Sequence, residues 1–200
     1  MLRYYLIAIF GAIALFTLLA VFAGGLVFWY ALLGVFASAA AAFGIDALVA
    51  LLVRRWPEEK IDPFNGFFTA RPWERKLYVR LGVRRWKDRI PEMGGVLAHF
   101  PKDRVADLHD NVYLLKFLRE TCYAEVMHLW SIPAGFLIFL LWPRRILWFG
   151  LPVALVNAFL QILPVITQRY VRPFLVSAYR RNEKSEARRQ ATESSNTNLA

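Results

Sequence analysis

A long apolar stretch at the N-terminal end constrains the fold of this chain more than any other feature. Between residues 4 and 53 the only charged residue is Asp46. About 20 consecutive apolar residues cross the hydrocarbon core of a bilayer, so this stretch is long enough for two crossings. We expect one span near residues 4–23 and another near residues 27–53, joined by a turn at Gly24-Gly25. Apolar and polar residues do not alternate here, which argues against strands.

A signal peptide is the alternative interpretation of the first apolar run. Arg3 precedes the run, and the residues around Ala23 could be cleaved. The run is longer than the apolar core of a usual signal peptide, however, and a second run follows almost at once. We therefore favour an uncleaved span.

The region from residue 54 to residue 119 is strongly basic. It holds 15 of the 25 lysine and arginine residues, mixed with nine acidic residues and several aromatic ones. This composition is too polar to cross a membrane and too apolar for a free linker, so we expect short amphipathic pieces at the level of the lipid headgroups. Anionic lipids explain the positive charge better than nucleic acid does, because the basic residues flank apolar spans.

Two more apolar runs and a polar tail follow. Residues 129–142 either cross the membrane or re-enter it, and both interpretations stay open. Residues 146–167 form the last run, with kinks expected at Pro152 and Pro164. The tail, residues 180–200, is charged and rich in Ser, Thr and Asn, and we expect it to be disordered.

Together these regions predict an all-α integral membrane protein with about four apolar helices and an interfacial amphipathic middle region. We expect a multi-pass protein of the cell membrane, with the basic middle region and the tail on the cytoplasmic side. Arg144 and Arg145 fit this orientation poorly, since a full crossing of the third run would place them outside. The predicted division is an N-terminal two-span hairpin, the basic region, a motif helix with the C-terminal membrane helices, and the tail (residues 1–53, 54–119, 120–179 and 180–200).

Residues 111–130 carry the pattern that points most directly to chemistry. In a helix, Glu120, Glu125 and His128 fall on a polar stripe that runs into an apolar segment. Glu125 and His128 are three residues apart and face each other across one turn. A carboxylate beside an imidazole can fix its tautomer and raise its basicity, as a general base for a hydroxyl nucleophile requires.

Two alternatives for this pair remain open. Ionisable groups at a membrane boundary often only pair with each other. A Glu-x-x-His pair also occurs in the metal sites of helix bundles, but those sites need a second such pair and two further Glu residues. The chain does not supply them, so we expect no metal.

A second polar stripe, made of Asn157, Gln161, Gln168 and Arg172, lies on one face of the last apolar run. Such groups either join helices within the bundle or line a groove for a polar headgroup or a sugar, and the pattern does not separate the two.

Four motifs then occur in one order along about half of the chain: Trp86–Gly95, Phe100–Lys102, Glu120–His128 and Gln168–Pro173. Together they resemble the glycosyl-4,4′-diaponeurosporenoate acyltransferase family, which is associated with the last step of staphyloxanthin synthesis. The resemblance implies a membrane enzyme that esterifies a sugar hydroxyl of a glycosylated carotenoid with a fatty acyl chain. It implies an acyl thioester as co-substrate, a lipophilic acceptor, contact with membrane lipids and no bound cofactor.

On this basis we expect His128 to act as the general base, with Glu125 supporting it and Glu120 positioning the stripe or a sugar hydroxyl. We expect Lys87, Arg89 and Arg169 either to bind the anionic donor or to stabilise the oxyanion at close range. We expect the sugar to bond to Gln168 and Arg172. The full set of expected substrate-binding residues is Trp86, Lys87, Arg89, Gln168, Arg169, Tyr170 and Arg172. The alternative function is a non-catalytic lipid-binding or assembly protein of the membrane, whereas a transporter would need more spans.

Overall fold

The computed structural model describes residues 2–90 and 107–197, and within them every regular element is helical. The long helices of the first half are α1 (Leu2–Phe22) and α2 (Phe28–Arg54). They form an antiparallel hairpin at the places expected from the apolar runs. Gly25 lies in its turn with a φ of 64°, a left-handed conformation that glycine adopts without a steric penalty.

In the middle region, the described residues 55–90 form short helices. They are α3 (Pro72–Arg80), α4 (Val83–Trp86) and single 3₁₀ turns at Glu58–Lys60, Gly66–Phe68 and Lys87–Arg89. The part of the expected motifs that falls on residues 91–106 lies outside the described residues.

The second half is a long antiparallel helix pair. Helix α5 (Asn111–Gly135) continues as a 3₁₀ segment to Leu141, and α6 (Leu151–Thr197) follows a π-helical turn at Ile146–Gly150. Asp110 starts α5 by accepting hydrogen bonds from the backbone N–H groups of Val112 and Tyr113, at 2.8 and 3.1 Å.

Three of the described helical segments are long and apolar enough to cross a membrane. They are Phe28–Arg54, Asn111–Leu141 and Ile146–Thr192, and Leu6–Phe22 is a shorter apolar helix. Large apolar side chains such as Leu33, Phe159 and Leu140 are exposed on the outside of the bundle, as hydrocarbon-facing residues are. These features confirm the predicted all-α, membrane-type fold with about four apolar helices.

The apolar run at residues 129–142 is the far half of the 31-residue segment Asn111–Leu141, which is long enough for a full crossing. The ring centroids of Tyr30 and Phe149 lie 5.4 Å apart, so the connection after this run meets the start of α2. Arg144 and Arg145 in that connection therefore lie at the end of the bundle opposite Arg54.

Small residues allow α2 to pack closely against the π-helical turn that precedes α6. Gly34, Ser38 and Ala42 follow one another at intervals of four residues, a pattern that lets membrane helices approach each other. A Cβ atom at Gly34 would lie 2.6 Å from the ring of Phe149, which is fully buried. Packing at this point leaves no room for a larger residue.

Helix α6 continues where we expected a disordered tail. It passes through Pro164 and Pro173 and ends only at Thr197. Near the start of this extension, the Asn182 amide donates to the Leu108 backbone carbonyl at 2.8 Å, which ties α6 to the segment before α5. Helix α5 includes the whole of residues 111–130, as their pattern predicts, and the proposed division into four parts stays a prediction.

Candidate active site

Polar side chains from four helices gather in two clusters among the described residues, both between α5 and α6. We call the first the arginine network; its members are Glu74, Thr121, Glu125, Arg169 and Arg172. We call the second the His128 cluster; its members are Asp46, His128, Asn157 and Gln161. Helices α5 and α6 pack antiparallel, so a residue farther along α5 lies beside a residue earlier in α6. This packing brings the members of each cluster together.

The carboxylate of Glu125 lies at the centre of the arginine network and is fully buried. Its Oε1 accepts from Arg169 Nη1 at 2.6 Å, and its Oε2 accepts from Arg172 Nη1 at 2.5 Å. Arg169 also holds Glu74 through two parallel bonds, Nε–Oε2 at 2.9 Å and Nη2–Oε1 at 3.0 Å. Two carboxylates and two guanidinium groups thus neutralise each other where isolated charges would be costly.

Arg172 is only 2% exposed and is held from several sides. Besides Glu125, it donates to the Thr121 hydroxyl at 3.0 Å, the Thr121 carbonyl at 3.0 Å and the Phe68 carbonyl at 2.8 Å. These bonds use four of the five N–H groups of a guanidinium. This burial favours an anchoring role for Arg172 over the sugar contact that we expected.

A short loop closes the arginine network on the side of the basic region. Asn65 shapes the loop, because its side chain accepts from the Phe67 backbone N–H at 2.9 Å and caps a 3₁₀ turn. The carbonyls of Phe67 and Thr69 then accept from Arg169 at 3.1 and 3.4 Å. The ring of Phe68 lies under the Arg172 guanidinium, 5.2 Å from it.

Helix α3 joins the network through Glu74 and Tyr78, one turn apart on its buried face. Burial acts to raise the pKa of Glu74, but the hydrogen bonds and charge of Arg169 outweigh burial, and the pKa is lowered. Burial, together with the adjacent Glu74 carboxylate, raises the pKa of Tyr78 to about 12. The phenol is therefore neutral at physiological pH and donates to Glu74 Oε2 at 3.1 Å.

The His128 cluster lies deeper in the bundle, where α2, α5 and α6 meet. The Nδ1 atom of His128 is 2.5 Å from Gln161 Oε1, and Gln161 Nε2 is 2.6 Å from Asp46 Oδ2. Asn157 Nδ2 lies 3.4 Å from the other oxygen of Asp46. A half-buried imidazole linked to a carboxylate through one amide is an arrangement that can accept and return a proton.

The predicted partnership of Glu125 with His128 takes a different form in the structure. Guanidinium groups bind both oxygens of Glu125, and the Nδ1 atom of His128 contacts Gln161. Asp46 is the carboxylate that this contact links to the imidazole. In this geometry Gln161 contacts the imidazole and Asp46 contacts Gln161, while the role expected for Glu125 as the orienting group stays a prediction.

Glu120 lies outside both clusters, at the end of the bundle where α2 stops. It forms a two-bond ion pair with Arg54, with N–O distances of 2.7 and 2.6 Å. Nearby, the Tyr123 hydroxyl donates to the Trp56 carbonyl at 2.8 Å. Glu120 thus joins α5 to α2, and its expected contact with a sugar stays a prediction.

The remaining expected binding residues lie at the side of the network. The Trp86 indole donates to the Leu81 carbonyl at 3.0 Å, Lys87 pairs with its neighbour Asp88, and Arg89 is exposed. Gln168 is buried, and the Tyr170 ring packs near that of Tyr78, with centroids 6.5 Å apart. Their roles in binding substrate stay predictions.

Sequence reasoning did not include Asp46, Glu74 and Gln161 in the site. The sequence does point to Asp46, because an isolated charged residue within an apolar span is a candidate functional residue. Gln161 was recognised on the polar stripe but without a partner. Glu74 lies in a basic, amphipathic segment and carried no signal of its own.

A model of the glycosyl-4,4′-diaponeurosporenoate acyltransferase family matches residues 65–181. No curated protein and no solved structure matches the chain. The matched range contains the whole arginine network and most of the His128 cluster, but it leaves out Asp46.

Proposed function

Because the chain belongs to the glycosyl-4,4′-diaponeurosporenoate acyltransferase family, we propose that it transfers a fatty acyl chain to a sugar hydroxyl of a glycosylated carotenoid. Membership makes it an acyltransferase of carotenoid biosynthesis, and its apolar helices make it a membrane protein. The acyl thioester donor and the glycoside acceptor are the finer parts of the proposal. Neither a metal nor a bound cofactor is required by it.

The observation that carries the mechanism is a half-buried imidazole between apolar helices with polar partners around it. In the proposed reaction His128 removes the proton of the acceptor hydroxyl, whose oxygen attacks the thioester carbonyl. The tetrahedral intermediate then collapses, the C–S bond breaks, and the imidazolium returns the proton to the leaving thiolate. The products are an ester and a free thiol.

The arginine network supports this reaction as a rigid frame. Arg169 makes five hydrogen bonds, to Glu74, Glu125 and the carbonyls of Phe67 and Thr69, which occupy its guanidinium. Anionic groups of the donor are therefore assigned to the more exposed Lys87 and Arg89. Holding α5 against α6 at Glu125 fixes His128 less than one helical turn away.

We assign the basic end of the bundle to the cytoplasmic side of the cell membrane. Arg54 and the basic middle region lie at that end, and excess Lys and Arg marks the cytoplasmic side. An acyl thioester from the cytoplasm would then reach the site from the headgroup level, and the lipophilic acceptor from within the bilayer.

The test uses the full chain in membranes supplied with an acyl thioester and a glycosylated carotenoid. We expect His128→Gln to reduce ester formation by about 10²–10⁴-fold, the usual contribution of a general base. His109→Gln, which changes an exposed histidine before α5, is the matched control and should transfer at the wild-type rate. Thermal unfolding of both variants shows whether they are folded.

Full transfer by a folded His128→Gln variant would contradict the proposed base. If the wild-type protein itself forms no ester, a non-catalytic lipid-binding or assembly role replaces the proposal.

A further inference from the structure

We propose that Asp46, acting through the Gln161 amide, holds His128 with its proton on Nδ1 and its lone pair on Nε2. Asp46 and Gln161 are positioning residues in this proposal, because they act through the imidazole. The value of this tautomer for catalysis rests on the proposed function, whereas the tautomer itself is a property of the resting protein.

The argument begins at the carboxylate of Asp46, which can only accept hydrogen bonds when ionised. The group 2.6 Å from Asp46 Oδ2 must therefore be a donor, and it is the NH₂ end of Gln161. This contact fixes which way the amide points. The carbonyl end of Gln161 then faces His128.

The amide carbonyl is in turn an acceptor only. His128 Nδ1, 2.5 Å from Gln161 Oε1, must therefore carry a proton. In a neutral imidazole the lone pair is then on Nε2, which becomes the basic nitrogen. The same bond persists in the imidazolium, so the ring keeps its orientation when Nε2 takes up a proton.

Asn157 strengthens this arrangement from the same face of α6. It lies one turn before Gln161; its Nδ2 is 3.4 Å from Asp46 Oδ1, and its Oδ1 is 3.4 Å from Gln161 Nε2. A Cβ atom at Gly135 would lie 2.7 Å from Asn157 Nδ2, so glycine at this point of α5 gives the amide its space. Hydrogen bonds in such a low-dielectric setting polarise each other.

Three helices contribute to this relay, which makes it a product of tertiary packing. Asp46 comes from α2, His128 from α5 and Gln161 from α6. The carboxylate of Asp46 lies outside the part of the chain that matches the family model. The N-terminal hairpin therefore supplies a functional group as well as membrane spans.

The test is ¹⁵N NMR of the full chain in lipid nanodiscs, with His99 and His109 replaced by Gln so that His128 gives the only side-chain imidazole signals. We expect a protonated Nδ1 and an unprotonated Nε2 above the pH at which the ring titrates. Free imidazole side chains in water favour the opposite tautomer, so the result is diagnostic.

Two single variants and one double variant probe the relay. Gln161→Leu removes the acceptor for Nδ1, and Asp46→Asn lets the amide turn; each should move His128 toward the tautomer mixture of a free side chain. The double variant Asp46→Asn/Gln161→Glu exchanges the amide and the carboxylate along the relay. Its new carboxylate again accepts from Nδ1, so the Nδ1–H form should return.

Gln190→Leu and Asp62→Asn make the same chemical changes at exposed positions and should leave the His128 signals unchanged. A wild-type spectrum with the proton on Nε2, or single variants with unchanged tautomers, would overturn the proposal. If either single variant fails to fold, the double variant still decides. A wild-type Nδ1–H form together with full transfer by His128→Gln would support this inference while removing the proposed catalytic base.

Discussion

Replacing Arg172 by Met tests whether the arginine network holds the bundle together. Methionine fills similar space but donates no hydrogen bond. The change leaves the fully buried Glu125 with one guanidinium instead of two. Removing one partner of a buried ion pair typically costs about 3–5 kcal/mol, because the other charge stays in a low dielectric.

The structure places the expected cost within that range. Arg172→Met breaks four hydrogen bonds and leaves Glu125 Oε2 and the Phe68 carbonyl without this donor, whereas the Thr121 carbonyl keeps its place in the backbone hydrogen bonds of α5. Arg169 still binds Glu125 Oε1, so the carboxylate is not left alone. A loss of about 3–5 kcal/mol corresponds to roughly 10²–10⁴-fold in the unfolding equilibrium.

Two further variants separate charge from geometry. Arg172→Lys keeps the charge, but one ammonium group cannot reproduce four directed bonds, so most of the loss should remain. Adding Glu125→Gln to Arg172→Met removes the uncompensated charge and should recover about 1–2 kcal/mol.

The assay is unfolding in detergent micelles by a denaturing detergent, followed by the fluorescence of the seven tryptophans. Arg188→Met, on the exposed end of α6, should change the free energy of unfolding by less than about 0.5 kcal/mol. An Arg172→Met protein within about 1 kcal/mol of wild type, or a Lys variant equal to wild type, would refute the reasoning.

Two more perturbations follow from the packing of the helices and are measured by the same unfolding assay. Because Arg169 lowers the pKa of Glu74 below its ordinary value of 4.5, Glu74 adds stability above that pH, and this contribution is lost as the pH falls through the lowered pKa. Glu74→Gln should thus destabilise the protein at neutral pH, and its difference from wild type should shrink on acidification; a difference independent of pH would contradict this. Gly34→Ala drives a Cβ atom against the buried Phe149 ring and should cost about 1–3 kcal/mol, whereas Gly44→Ala, with no atom within 4 Å of the new Cβ, should be neutral or slightly stabilising. Equal stabilities of the two glycine variants would show that the helices do not pack as described.

The helices of this protein were predictable because the bilayer sets their length and composition. The near absence of charge between residues 4 and 53 placed the N-terminal hairpin, and Gly24-Gly25 marked its turn. The end of α6 was not predictable in the same way. Its polar extension lies beyond the apolar run, where composition alone favours disorder. The hydrogen bond from the Asn182 amide to the Leu108 carbonyl joins the start of this extension to the segment before α5.

The residues of the site were easier to predict than their partners. Glu125 and His128 stand three positions apart, so their directions differ by about 60° around the helix axis. That offset points Glu125 at the arginines of α6 and His128 at Gln161. Only the packing of α2, α5 and α6 decides which neighbour each side chain meets, and a periodic pattern along one helix does not contain that information.

The depth of the His128 cluster follows from helix geometry and bears on how the proposed reaction would run. His128 is eight residues beyond Glu120 on α5, and Asp46 is eight residues before Arg54 on α2. Both positions are therefore about 12 Å farther from the basic end than the Arg54–Glu120 pair. A base at that depth meets a hydroxyl that a lipophilic acceptor brings from within the bilayer, while bulk water stays at the headgroup level. Exclusion of water would favour ester formation over hydrolysis of the thioester. The same depth explains why the charges near the site are paired or linked by amides. An unpaired charge at this level would cost more free energy than the net folding stability of a small helix bundle.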